Sequence, residues 1–148
     1  LNETLEMVSM TKLNEVTGNI HVYNNGVKFV QFDLLKAIEG DFVISSSTLT
    51  TLQIPELINV GGALNIFGMG KGAISTLVFP KVQTVKNSLS INEISTLKSI
   101  SFPELIETGS INFSSLPIEF EKLSMPKLSV VNGDCFIILD FCQLDLTD

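Results

Sequence analysis

The side chains able to do chemistry in this sequence are few and scattered. His21 is the sole histidine and stands between Ile20 and Val22. In a strand, that setting aims the ring out of the sheet. With no second histidine and no ordered cysteine beside it, His21 reads as a surface residue rather than a metal ligand or general base. The two cysteines, Cys135 and Cys142, are separated by six residues. A redox pair uses a two-residue spacing, and two cysteines are too few for a disulfide scaffold or a four-ligand zinc site. A structural disulfide and a pair of buried free thiols both remain open. Glu104 and Glu107 lie close in sequence, as do Glu119 and Glu121. General acid–base work needs two carboxylates facing each other across a cleft, and nothing here supplies the second wall. A solvated face is the expected role. Gly68-Met69-Gly70-Lys71-Gly72 resembles a fragment of a phosphate loop. It lacks the full glycine–lysine–serine/threonine pattern, and no long helix follows to supply a dipole. An inserted surface loop is expected there. No catalytic residue, metal or cofactor follows from these residues.

What must position them is a repeat. Met10, Phe32, Ile54, Phe79, Phe102 and Met125 each start a copy of one unit. The steps between them are 22, 22, 25, 23 and 23 residues. Within a unit an apolar residue is followed by Pro in four copies, then by Leu or Val three positions on, then in five copies by Val or Ile, then Gly and an alternating apolar pair. Ile54-Pro55-Glu56-Leu57, Val60, Gly62, Leu64 and Ile66 show it most fully. The fifth unit brings Gly109, Ile111 and Phe113 one residue early, and Asn87 stands for Gly in the fourth. Alternation of period two is the strand period. Gly supplies positive φ or close approach at the bend, and Asn is the side chain that best tolerates positive φ. Pro ends a ladder because it has no N–H to donate. Each unit therefore reads as two short strands and two bends, with a short helical turn across the Leu-x-x-Val step.

One such unit cannot bury its own apolar side, so the units must stack. The expected fold is an all-β solenoid of about six turns of 22–25 residues with parallel sheets. It is a single domain over residues 1–148, with 1–9 as an N-terminal cap, 10–139 as repeats, and 140–148 as a C-terminal cap or interrupted turn. Leu64, Leu89 and Ile111 should lie above one another, as should Ile66, Ile91 and Phe113. Cys135 falls on the same inward position and Cys142 on another.

Composition narrows the function. The chain holds nine Lys and no Arg, a net charge of −7, and only 17% charged residues. Arg is the preferred side chain for bidentate phosphate and base recognition, so nucleic acid and anionic membrane surfaces are not expected partners. No run of about 18 apolar residues is present, so direct membrane insertion is not expected. The chain begins at Leu1 without Met and shows no signal peptide. It is expected to be a mature or trimmed piece whose targeting segment lies elsewhere. Two sequons occur, at Asn2 and Asn112.

The Phe-Pro-x-Leu…Gly-x-Leu-x-Ile unit, carried by Ile54-Pro55-Glu56-Leu57…Gly62-Ala63-Leu64-Asn65-Ile66 and its copies, resembles the receptor L-domain family. These are leucine-rich, β-helix-like domains of growth-factor receptors. The pattern is shared with fungal cell-surface proteins of the Ecm33/Sps2 type and with bacterial surface proteins. The resemblance spans residues 10 to about 139. It implies a right-handed solenoid displayed outside the cell, at the wall or outer surface, that binds proteins or maintains surface architecture without catalysis. Receptor L domains carry more disulfides than two cysteines allow, which favours a microbial surface protein.

Three functions follow in order of preference. The first is a surface binding or adhesion module that contacts protein or glycan. The second is a structural spacer in the cell envelope. The third is a carbohydrate-acting β-helix enzyme, which the short chain and missing Arg disfavour. The expected binding face is the outward column His21, Val43, Asn65, Ser90, Asn112 and Phe136. Beside it run Asn19, Asp41, Ala63, Ser88, Ser110 and Asp134, and on the other sheet Gln31, Gln53, Val78, Ser101 and Ser124. A solenoid end is a further candidate contact for another domain or subunit.

Overall fold

Residues one repeat apart stand side by side on parallel strands. The computed structural model describes residues 5–23, 26–68 and 73–139. Within them every paired strand is parallel and no helix occurs. Two columns of apolar residues run the length of the stack in register. One is Ile20, Phe42, Leu64, Leu89, Ile111 and Cys135; the other is Val22, Ile44, Ile66, Ile91, Phe113 and Ile137. Leu64 and Leu89 are fully buried and Ile111 is 1% exposed, so the sequence register holds. Such burial removes each side chain from water, worth roughly 1.5–3 kcal/mol apiece.

The unit has three strand segments, not two. The Leu-x-x-Val step is not helical. It is an open turn in which the Leu57 N–H donates to the Ile54 carbonyl (3.4 Å) and the Leu128 N–H to Met125 (3.2 Å). The residues after it form two-residue strands of their own, Glu15–Val16, Ala37–Ile38, Asn59–Val60 and Val130–Val131. These stack as the column Val16, Ile38, Val60, Val85, Thr108 and Val131. Sequence reasoning treated that Val as the end of a turn because two residues carry too little alternation to show a strand. In turns four and five the short and long strands fuse into Thr84–Asn92 and Glu107–Leu116. The register between these two shifts between Val85 and Ser88, which absorbs the one residue missing from the fifth unit.

The third strand family does not run through. Met7–Ser9, Phe29–Gln31 and Thr51–Gln53 make one three-stranded sheet. Thr76–Val78, Ser99–Ser101 and Lys122–Ser124 make another. The break falls at the 25-residue step, between Gln53 and Thr76. The extra residues enter after Gly68, whose N–H still donates to the Asn92 carbonyl (3.2 Å) as the Ser46 N–H does to that of Phe67; residues 69–72 lie outside the described set.

The glycines need correction. None of Gly18, Gly40, Gly62 and Gly133 lies in the left-handed region, φ between +20° and +160°, and Asn87 has no positive φ. Positive φ among non-glycine described residues belongs to Glu93 (59°) and Ser115 (51°). What excludes a side chain is the turn below. A Cβ on Gly40 would overlap Asn19 Oδ1 and lie 2.7 Å from the Gly18 carbonyl oxygen. One on Gly62 would overlap Asp41 Oδ1. Gly18, on the first turn, has nothing within 4 Å of such an atom. Close approach, the other use of glycine, is the operative one.

Candidate binding face

The outward column is in register across six turns: His21 beside Val43, then Asn65, Ser90, Asn112 and Phe136. It is not evenly exposed. His21, Asn112 and Phe136 are exposed and Asn65 is half-buried, but Val43 and Ser90 keep only 7% and 8% of their surface. Strands stand about 4.8 Å apart, so flanking side chains in the same column shield a mid-column residue. The sequence expectation of a flat open face is thus corrected at Val43 and Ser90. At the first turn the His21 ring meets Tyr23 edge-to-face, with centroids 5.5 Å apart.

The neighbouring column is occupied in holding turns together. Asn19 Oδ1 accepts the Asp41 N–H (2.7 Å), and Asp41 Oδ1 accepts the Ala63 N–H (2.8 Å). These are the oxygens that leave no room beside Gly40 and Gly62. Further along, Asn92 Oδ1 accepts both the N–H (3.0 Å) and the hydroxyl (2.9 Å) of Ser114. Sequence reasoning named Asn19 and Asp41 only as surface residues. Their equal phase in successive repeats was the available signal for a side-chain ladder.

The column on the other sheet is broken. Gln31 and Gln53 pair, and Val78, Ser101 and Ser124 pair, but Gln53 and Val78 belong to separate sheets. Between them lies a cavity of about 390 Å³ lined by Leu52, Gln53, Ile54, Pro55, Val78 and Pro80, with Asp33 at its edge.

The remaining candidates do not gather. Glu104 pairs with Lys127 (2.6 Å), and Glu107 accepts a hydrogen bond from Asn132 Nδ2 (2.7 Å). Glu119 and Glu121 are exposed. Lys81–Glu56 (2.6 Å) stands at the same phase of the repeat as Lys127–Glu104, a regularity the sequence reading missed, while Lys28–Glu6 (2.7 Å) joins the first two turns at a different phase. Among the described residues no three His, Cys, Asp or Glu side chains cluster closely enough to hold a metal ion. No described helix is long and apolar enough to cross a membrane. Cys135 keeps its inward register beside Ile111 but is exposed, since no described strand covers it. The expectation that it is buried is corrected on that account. Cys142, Asn2 and the 140–148 cap lie outside the described residues.

Both ends of the stack expose apolar residues. Leu5, Met7 and Met10 are exposed at the first turn, over a cavity of about 470 Å³ whose walls include Val8, Leu13, Val16 and Phe32. Val130, Phe136, Ile137 and Ile138 are exposed at the last.

No family model and no solved structure matches the chain. A cell wall protein of Schizosaccharomyces pombe, ecm33, is 29% identical over 76% of this chain. The match covers 21% of that protein, so the chain spans about a fifth of the relative's length.

Proposed function

We propose that the chain is a non-catalytic module of the cell surface that binds protein or glycan through the outward face of its long sheet. The similarity to a cell wall protein supports the surface location. The observation that carries the binding role is the unbroken register of the His21–Phe136 column over six turns, where the other sheet is interrupted. A regular rigid column suits an extended or repetitive partner, which solenoids bind along their length. The reading includes extracellular display, kinship with receptor L domains, one domain over the whole chain, and no role for nucleic acid, cofactor or membrane insertion.

The test is sedimentation of the purified protein with insoluble cell-wall glucan, chitin and immobilised mannoprotein. At least one probe should retain it, and Asn65→Lys with His21→Glu should release it at unchanged melting temperature. Retention that ignores these substitutions would remove the face from the proposal. The spacer reading draws on the exposed apolar ends. It expects no retention by any probe, and gains if Met10→Asp or Ile137→Asp alters assembly into the wall while the face variants are silent.

A further inference from the structure

Asn112 opens the triplet Asn112-Phe113-Ser114, in which the asparagine is an acceptor for N-linked sugar. The fold separates the three side chains. Phe113 is fully buried in the core. Asn112 is exposed on the opposite face, and its carboxamide makes no hydrogen bond among the described residues. The Ser114 hydroxyl is held by Asn92 Oδ1 at 2.9 Å. A substituent on Asn112 Nδ2 therefore leaves the core and this hydrogen bond intact. Its surroundings suit one. On one side stands Ser90, small and buried, and along the strand stands Ser110. On the other side its register partner is Phe136, 54% exposed. An aromatic ring left open beside a polar strand is an apolar patch that a covering group would stabilise.

We propose that Asn112 is an N-glycosylation site and that its first sugar lies over the Phe136 ring. In the transfer Asn112 Nδ2 bonds to the anomeric carbon of a lipid-pyrophosphate-linked oligosaccharide. The bond from that carbon to phosphate breaks, the lipid pyrophosphate leaves with the bonding pair, and Nδ2 gives up one proton. The acceptor is the nascent chain, because folding commits the Ser114 hydroxyl to Asn92. The C–H face of the sugar then covers the ring, and the sheet face narrows to its His21–Asn65 half for other partners.

The proposal rests on the surface reading, because only chains entering the secretory route meet the sugar donor. The test supplies a signal sequence and secretes the chain from a yeast host, so that native location does not enter. Peptide mass mapping should find sugar on Asn112 in the wild type and in S114T, and none in N112Q or S114A. An unmodified Asn112 in both secreted wild type and S114T would overturn the site and leave the surface reading standing. For the packing, the glycosylated wild type should melt above N112Q, and in the F136S background that gap should close. A gap that persists without the ring would overturn the contact with Phe136.

Discussion

The long sheet and the broken sheet are made by the same repeat, yet one runs through every turn and the other stops halfway. The difference lies in where the extra residues enter. From Val60 to Val85 the step is 25 residues, and the two still pair in register. The same step separates Leu52 from Leu77, and these do not pair. The insertion lies after Gly68, so the chain reaches Thr76 without meeting the edge of Thr51–Gln53. The Leu52 N–H and C=O find no partner in Thr76 or Val78 among the described residues. A three-residue insertion thus costs one ladder on one side of the solenoid and nothing on the other. The buried columns of the long sheet hold the two halves together.

Truncation of the same residue type on the two sides is the strongest way to break this comparison. Leu89→Ala removes a fully buried side chain from the centre of the long sheet. It should cost about 2–5 kcal/mol. Leu52 is half-buried and already lines the 390 Å³ gap. Leu52→Ala should cost less, about 1–2 kcal/mol, since little new cavity is created. Urea melts of both variants read the difference. Equal losses would mean the seam is packed as tightly as the core.

How far the sequence could be read follows the same division. The long-sheet columns were legible because Leu64, Leu89 and Ile111 alternate with polar residues and recur at each step. Cys135 was placed in the right register but wrongly enclosed, because its column has no described strand beyond it. The seam was not legible. Gln53 and Val78 occupy equal phases, and sequence phase does not report whether two edges meet. The outward face was half legible: register fixed which residues share it, but burial of Val43 and Ser90 depends on the bulk of neighbours on the adjacent strands. The glycine positions were found from the repeat, and of the two causes offered, positive φ and close approach, the adjacent turn selects the second.

That cause gives the next comparison, between the first turn and those stacked on it. Gly40→Ala drives a Cβ into Asn19 Oδ1 and the Gly18 carbonyl. The backbone cannot yield as a flexible side chain would, so a loss of about 1–3 kcal/mol is expected. Gly18→Ala meets open space and should change stability by no more than about 0.5 kcal/mol. Thermal or denaturant melts of the pair decide it. A large loss at Gly18 would return the requirement to backbone conformation at the bend.

The smallest effect concerns what crosses the seam. Lys81 Nζ reaches both carboxylate oxygens of Glu56, at 2.7 and 2.6 Å, from the turn above the gap to the turn below it. Lys127 reaches one oxygen of Glu104 at 2.6 Å, where strands Ser99–Ser101 and Lys122–Ser124 pair normally beside it. Both bridges are partly exposed, and such pairs are worth roughly 0.2–1 kcal/mol. Where a ladder already fixes the two turns, the bridge adds little to their alignment. Where the ladder is absent, the bridge also orders the edges it spans. Double-mutant cycles on Lys81–Glu56 and Lys127–Glu104 should therefore give coupling near about 1 kcal/mol for the first and a few tenths for the second. Both should fall as salt rises, since exposed charges are screened over about 8–10 Å at physiological ionic strength. Equal couplings would show that the seam is held by the long sheet alone and that the bridge across it contributes no ordering.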